Sequence, residues 1–317
     1  MLKGGLTTVS GGRAEIYFES NATADIWVDS VSVKPFTKEE WSTHRDASAG
    51  TARRKTVRLQ ATDSAGNPLP GAAVSLETVR NGFPLGAAMS SEILRNLAYQ
   101  SWFTSRFTVT TFENEMKWYS TEPAPGREDY SVPDAMLEFA KQHGIAVRGH
   151  NVFWDDPNQQ PRWGHFTAPV NIPYMRAALD TLAQAGVPVW LTEVDVAGGP
   201  SQAYYLEEVL REAYAHPAVQ GVILWAAWRP QGCYVMCLTD NEFNNLPQGD
   251  IGDIVDQLIT EWTTAPRAGT TDAEGFFQAE LAHGEYKVTV THPSLNTSVS
   301  QSVKVELGSG SHYFIQV

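Results

Sequence analysis

Cysteine is nearly absent from this 317-residue chain, and basic residues are scarce relative to acidic ones. Cys233 and Cys237 are the only two cysteines, which excludes a disulfide framework and is too few for a structural zinc site. They stand four apart in a loop, a spacing open to either a small loop disulfide or two free thiols. Lys and Arg number 23 against 36 Asp and Glu, a net charge of −13, so nucleic acid is an unfavourable partner. The single basic cluster, Arg53-Arg54-Lys55, reads as a solvated strand entry. No run of eighteen apolar residues occurs that could form a membrane-spanning helix. The first dozen residues, Met1 to Gly12, lack the apolar stretch of a secretory signal. Against this, Asn21-Ala22-Thr23 and Asn296-Thr297-Ser298 have the form of glycosylation acceptors, a weak pointer to a secreted parent. No cofactor or metal is implied, and a monomer is expected.

What the chain does contain is a set of apolar runs that end in chemistry. Val187-Pro188-Val189-Trp190-Leu191-Thr192 stops at Glu193, with Asp195 two positions on. Ile145-Ala146-Val147-Arg148 leads to His150 and Trp154. Phe107 to Phe112 leads to Glu113, Asn114, Glu115 and Lys117, and Val219 to Leu224 leads to Trp225 and Trp228. Near-continuous apolar runs separated by helical patterns predict parallel strands covered on both faces. Polar and aromatic residues gathered at the exits of such strands are how a (β/α) barrel builds an active site. Trp225 and Trp228 could equally be barrel packing, and His150 a satisfied core histidine.

The intervening helices are legible from their ends. A helix over Pro133–His143 has Pro near its start and Gly144 just beyond its end. Asn171 caps a second, a third starts at Ser201, and a fourth carries Ile251, Val255, Leu258 and Trp262 on one face.

The flanks read as β-structure. Ala14, Ile16 and Phe18, then Ile26, Val28, Val31 and Val33, form a hairpin pattern too small to stand alone. Lys55 to Ala61 and Asp63-Ser64-Ala65-Gly66-Asn67-Pro68-Leu69-Pro70-Gly71 form two strands and a turn. The same grammar returns only after residue 266, in Thr271 to Leu281, Gly284 to Thr291, Ser302 to Leu307 and His312 to Val317. These pieces resemble the two parts of one carboxypeptidase-regulatory-like β-sandwich.

Three motifs together carry a further resemblance: Glu113-Asn114-Glu115-Met116-Lys117-Trp118, Arg148-Gly149-His150-Asn151-Val152-Phe153-Trp154 and Trp190-Leu191-Thr192-Glu193-Val194-Asp195. In order and wording they resemble signature strands of glycoside hydrolase family 10, the retaining β-1,4-xylanases. The segments Gly164-His165-Phe166 and Asn171 to Arg176 are closest to plant members. The hairpin before residue 40 is similar to the end of a family 22 carbohydrate-binding module. The resemblance implies Glu193 as nucleophile and Asp195 as a supporting carboxylate. It also implies Glu113, Asn114, Lys117, His150, Trp154, His165, Trp225 and Trp228 as sugar-binding groups, xylan or xylo-oligosaccharide as partner, and an extracellular or cell-wall location.

One interval departs from that pattern. His150 and Glu193 are 43 positions apart (193 less 150), room for little more than one strand–helix unit, since a (β/α)₈ barrel spends roughly 30 residues on each. The strand carrying the family's acid/base Glu is absent, and the chain passes directly from Trp163 to Gly164. Asp155, Asp156 and Glu115 are nearby carboxyls, but none lies on a strand expected to face Glu193. The expected architecture is therefore α/β: an incomplete (β/α)₈ TIM-type barrel of about five strands over 81–265, interrupted near 163/164. It would be inserted in a split β-sandwich over 53–80 and 266–317, with a carbohydrate-binding remnant over 1–40.

Overall fold

The computed structural model describes residues 30–121, 127–150, 165–166, 171–184, 186, 188–225, 227–233, 235–245, 251–295, 297–306 and 310–317. The expected hairpin therefore lies almost wholly outside the described residues. Its described end, 30–36, forms no strand.

Helix α1, Lys38–Arg53, has no counterpart in the sequence reading, and it runs through the boundary expected at residue 40. A reciprocal capping box starts it. Thr37 Oγ1 accepts the Glu40 amide, and the Glu40 carboxylate accepts the Thr37 amide. Strands β1 (Arg54–Thr62) and β2 (Ala73–Asn81) follow. They pair not with what comes next but with strands near the end of the chain. Those are β9 (Arg267–Thr270), β10 (Phe276–Ala282), β11 (Gly284–His292), β12 (Thr297–Val305) and β13 (His312–Gln316). Two sheets result, ordered β10-β1-β13 and β12-β11-β2-β9. Alternation puts Val57, Leu59, Val74, Leu76, Val288 and Val290 into a single apolar core between them.

Between β2 and β9 the chain builds a second, larger unit. Its strands are β3 (Leu85–Met89), β4 (Val109–Phe112), β5 (Ala146–Arg148), β6 (His165–Phe166), β7 (Val189–Val196) and β8 (Val219–Leu224). All neighbouring pairs are parallel, in the order β5-β4-β3-β8-β7-β6. Helices α2 (Leu97–Thr104), α3 (Trp118–Thr121), α4 (Ser131–Gln142), α5 (Ile172–Ala183), α6 (Gln202–Ala215) and α7 (Ile251–Trp262) connect or follow them. The sheet is open, an incomplete barrel. Among the described residues β5 and β6 are its two ends and do not pair with one another. The two-residue β6 is the one strand beyond the five counted from sequence. Strands β5 and β7 do not pair, so the opening is not closed across the short interval.

Helix ends fall where side-chain chemistry puts them. Asn171 Oδ1 accepts the Tyr174 amide at the start of α5, and Gly144 ends α4 with φ 65°, a conformation that costs a side chain-bearing residue about 1 kcal/mol. The face expected to be apolar on α7 is buried at Ile251, Val255, Leu258 and Trp262; α4 buries Met136 and Ala140 and α6 buries Leu206, Val209, Leu210 and Ala213, while α5 buries Met175 and Leu179 but leaves Leu182 exposed.

Arg53 joins the two units. Its guanidinium is buried and donates to the carbonyl oxygens of Tyr214, His216 and Val219 at the α6–β8 turn, while lying 4.8 Å from the Phe83 ring centroid. Its basic cluster is thus only partly a solvated strand entry. Burial lowers the Arg53 pKa to about 10. On its outer side α6 receives α1, through Trp41 Nε1 donating to the fully buried Glu212 and through Arg45 paired with Glu208.

Candidate active site

Parallel strands deliver the candidate groups to one end of the open sheet. The loop after β4 carries Glu113, Asn114, Glu115 and Lys117, and the residues after β5 carry His150. Glu193 and Asp195 lie within β7, and Trp225, Trp228 and Arg229 follow β8.

At the centre stands Glu193, partly exposed, with its backbone at φ 62°. This is left-handed space in the middle of a strand, and pairing with β8 breaks at the same place, between Leu191 and Val194. Such a bulge re-aims a side chain and costs on the order of 1–3 kcal/mol. Asp195 is buried, and its backbone registers with His165 of β6.

Two cationic or potentially cationic groups approach Glu193. His150 Nε2 lies 3.4 Å and Arg148 Nη1 lies 3.7 Å from Glu193 Oε1. Arg148 Nη1 is also 3.2 Å from His150 Nδ1. A guanidinium can only donate, so His150 Nδ1 accepts and the ring proton sits on Nε2, pointing at Glu193. Burial, followed in size by the opposing pull of Glu193, holds the His150 pKa below the ordinary histidine value. The imidazole is consequently neutral at neutral pH.

Lys117 closes another side. It is buried, its ammonium donates to Asn114 Oδ1 at 3.2 Å and lies 5.7 Å from the Trp225 ring centroid. Desolvation lowers its pKa against the attraction of Glu193 and Glu113. Trp225 meets His150 edge to face, with centroids 6.0 Å apart. Glu113 is buried and paired with Arg229 at 2.8 Å, and burial outweighs that partner in raising its pKa. Its other oxygen, Oε1, has no hydrogen-bond partner among the described residues. Glu115 serves the loop, accepting the amides of Ser91 and Asn114.

Trp228 is placed differently from its expected role. It is 3% exposed, its ring lies 4.9 Å from Tyr99 and 4.8 Å from Phe243, and its Nε1 donates to Asn241. Both neighbours are core aromatics, so Trp228 packs the barrel and leaves Trp225 as the ring beside Glu193. Trp154, Asp155 and Asp156 lie outside the described residues, as does the side chain of His165.

Arg148 and Arg229 were not among the residues singled out from the sequence. Arg148 sits inside the quoted Arg-Gly-His motif, and its spacing of two from His150 was the available signal. Nothing local marks Arg229, which meets Glu113 only through the fold. Cys233 and Cys237 form a disulfide, which resolves the two alternatives left by their spacing. Among the described residues no group of three metal-ligating side chains occurs, and no helix is long and apolar enough to cross a membrane. A cleft of about 390 Å³ opens at the opposite ends of the strands, lined by Pro84, Val109, Trp190, His283 and Lys304, and none of the candidate groups borders it.

With this geometry in place, similarity to known proteins can be weighed. The profile of Glycosyl hydrolase family 10 matches residues 75–168. Endo-1,4-beta-xylanase 5 of Arabidopsis thaliana is 33% identical over 431 positions, covering 97% of this chain and 75% of that protein. Endo-1,4-beta-xylanase 4 of the same plant is 31% identical over 440 positions, covering 98% and 76%. An alignment of 431 positions against a chain of 317 residues leaves at least 114 positions of the relative opposite gaps. Among solved structures, xylanase 10B from Thermotoga petrophila RKU-1 in complex with xylobiose is similar at a TM-score of 0.44 and 15% identity, covering 56% of this chain and 95% of that one.

Proposed function

Because the chain belongs to glycosyl hydrolase family 10, a family of glycosidases, we propose that it carries the nucleophile half of a retaining cleavage of β-1,4-xylan, with turnover curtailed by the loss of the acid half. Retaining hydrolysis needs two carboxyl groups about 5 to 5.5 Å apart, one attacking the anomeric carbon and one protonating the departing oxygen. Glu193 takes the first role. The observation that carries the reading is the company it keeps: among the described residues the groups reaching it are Arg148, His150 and, through its field, Lys117. None is a carboxyl.

The other carboxyls described nearby have other duties. Asp195 is buried, Glu113 pairs with Arg229, and Glu115 holds loop amides. His150 is a poor substitute acid, since its only ring proton points at Glu193 and its pKa is depressed. Without general acid catalysis the leaving alkoxide departs unprotonated, forfeiting roughly 10² to 10⁴-fold in rate. The gaps in the alignment with the plant relatives are compatible with the same reading, and the proposed site of the loss, near 163/164, rests on the motif spacing alone.

On the substrate side, Glu113 Oε1, buried and without a donor among the described residues, suits a sugar hydroxyl. Asn114 and Lys117 extend that polar wall, Trp225 offers a ring face for a sugar, and His150 borders the reacting carbon. Trp154 and His165 are assigned to the same cleft on the motif alone. The N-terminal 1–40 as a family 22 module remnant and 53–80 with 266–317 as one carboxypeptidase-regulatory-like sandwich complete the proposed domain plan. An extracellular or cell-wall location is proposed from the plant relatives. The same missing acid also favours a second reading, a xylan-binding chain with no turnover.

Initial rates on aryl xylobiosides of graded leaving-group acidity test the proposal. Turnover should appear with dinitrophenolate leaving groups and fall steeply as the leaving group becomes more basic. A flat dependence, or ready hydrolysis of xylan itself, would mean that an acid is present after all.

A further inference from the structure

The sheet β10-β1-β13 turns Val57, Leu59, Ala61 and Ile315 inward, and so turns Arg58, Gln60, Phe276, Gln278, His312 and Phe314 outward. Register arranges these in two rows. Gln60 lies between Phe276 and Phe314, and Arg58 lies between Gln278 and His312. The two Phe residues therefore stand two strand spacings apart, ~9.5 Å. Phe314 is 66% exposed, and the Arg58 guanidinium lies 4.1 Å from the Phe276 ring centroid.

A single exposed Phe needs no explanation. Two in one row, separated by Gln60, whose Nε2 donates to the Glu274 carbonyl oxygen, and with a guanidinium stacked on Phe276, make a surface that offers the open Phe314 ring beside a ring paired with a cation. We propose that this outer face of the sandwich, built on Phe276, Phe314, Gln60 and Arg58, binds an extended β-1,4-xylan chain that carries uronic acid substituents. The ring separation is comparable with that of every second sugar along such a chain. Charge complementarity selects the substituent. In a protein of net charge −13 these two rows hold Arg58 and no carboxylate, and Glu280 stands in the next row, opposite Thr56. The choice of xylan rests on the reading of the barrel given above. Occupancy of this face together with the cleft would let one chain hold the polysaccharide at two points, raising its apparent affinity without new contacts in the cleft.

The test is co-sedimentation of the full chain with insoluble glucuronoxylan and with the same xylan after carboxyl reduction. The double variant Phe276→Ala/Phe314→Ala should bind about tenfold more weakly (about 1.4 kcal/mol) than the parent. Arg58→Ala should abolish the parent's preference for the uronate-bearing material. Phe314 is exposed and Phe276 lies half-buried beneath Arg58 on the same outer face, away from the sandwich core, so a circular dichroism spectrum and Tm close to those of the parent are expected and show that the fold is kept. Sedimentation by the double variant equal to that of the parent, or no sedimentation by the parent, overturns the proposal. Covalent labelling of Glu193 is read in parallel. Labelling that survives while the face variants make no difference leaves the barrel reading standing without this one. Ring-dependent sedimentation without labelling does the reverse.

Discussion

Removing the Arg53 guanidinium should loosen the joint between the two units more than removal of any exposed charge. Its side chain is buried and donates to three carbonyl oxygens, those of Tyr214, His216 and Val219, while packing on Phe83 and Tyr214. A hydrogen bond to a charged group contributes about 1.5–3 kcal/mol, but three to one group are not additive, because a buried guanidinium also carries a desolvation cost. Burial is visible here in the lowered Arg53 pKa, about 10. The net loss expected for Arg53→Ala is ~3 kcal/mol, since three carbonyl oxygens lose their donor at about 1–3 kcal/mol each, offset by relief of the guanidinium's desolvation. For a chain of this length that corresponds to a fall in Tm on the order of 10 °C. Arg53→Lys keeps the charge but not the planar fork that reaches three acceptors, so its loss should be about half as large. Thermal unfolding followed by far-ultraviolet circular dichroism, with the parent and both variants at one protein concentration, measures the order. An Arg53→Ala variant melting within a degree of the parent would refute the reasoning, as would a Lys variant less stable than the Ala one.

Other consequences follow from the same structure. Glu212→Ala leaves Arg176 and the Trp41 indole without their shared acceptor, so stability should fall by about 3 kcal/mol and Trp41 emission should shift to the red; unchanged emission would contradict the α1–α6 packing. His216 has its pKa lowered by burial first and by Arg176 next, against Asp180, so the unfolded chain takes up a proton that the folded chain refuses. Stability should therefore decline as pH falls below the ordinary histidine value of about 6.5, and His216→Gln should flatten that slope; an unchanged slope would rule His216 out. Cys233→Ser with Cys237→Ser opens a very short loop, so the cost should not exceed about 2 kcal/mol; a larger drop in Tm than in Arg53→Ala would show the loop doing more than closing on itself. Truncation after Pro266 removes the partners of β1 and β2 and bares Val57, Leu59 and Val74; a soluble, monomeric product by size exclusion would contradict the pairing.

Five of the barrel's described strands and four of its helices were legible because each announces itself locally, while α2, α3 and the two-residue β6 were not. Apolar runs stop at polar exits, and Asn171 and Gly144 mark helix ends by their own chemistry, whereas Ser201 stands at the start of α6 without a side-chain capping hydrogen bond. The convergence of Glu113, Lys117, His150 and Glu193 follows from one rule, that parallel strands share an exit side. What the sequence conceals depends on distant partners. Helix α1 has few apolar residues, and its burial comes from Trp41 and Arg45 meeting carboxylates on α6 more than 160 positions away. The bulge at Glu193 lies in a run whose alternation reads as regular strand, and only the misfit with β8 reveals it. Trp228 and Trp225 look alike in sequence, and Tyr99 and Phe243 decide between them.

The central claim is that Glu193 is an assembled nucleophile without its acid partner. Incubation of the intact chain with the 2,4-dinitrophenyl glycoside of 2-deoxy-2-fluoro-xylobiose, a donor that needs no protonation, tests it by peptide mass spectrometry. The expected result is one 2-deoxy-2-fluoro-xylobiosyl group, a disaccharide adduct, on the peptide containing Glu193, lost in Glu193→Gln. An unlabelled protein, or a label on another carboxylate, would contradict it.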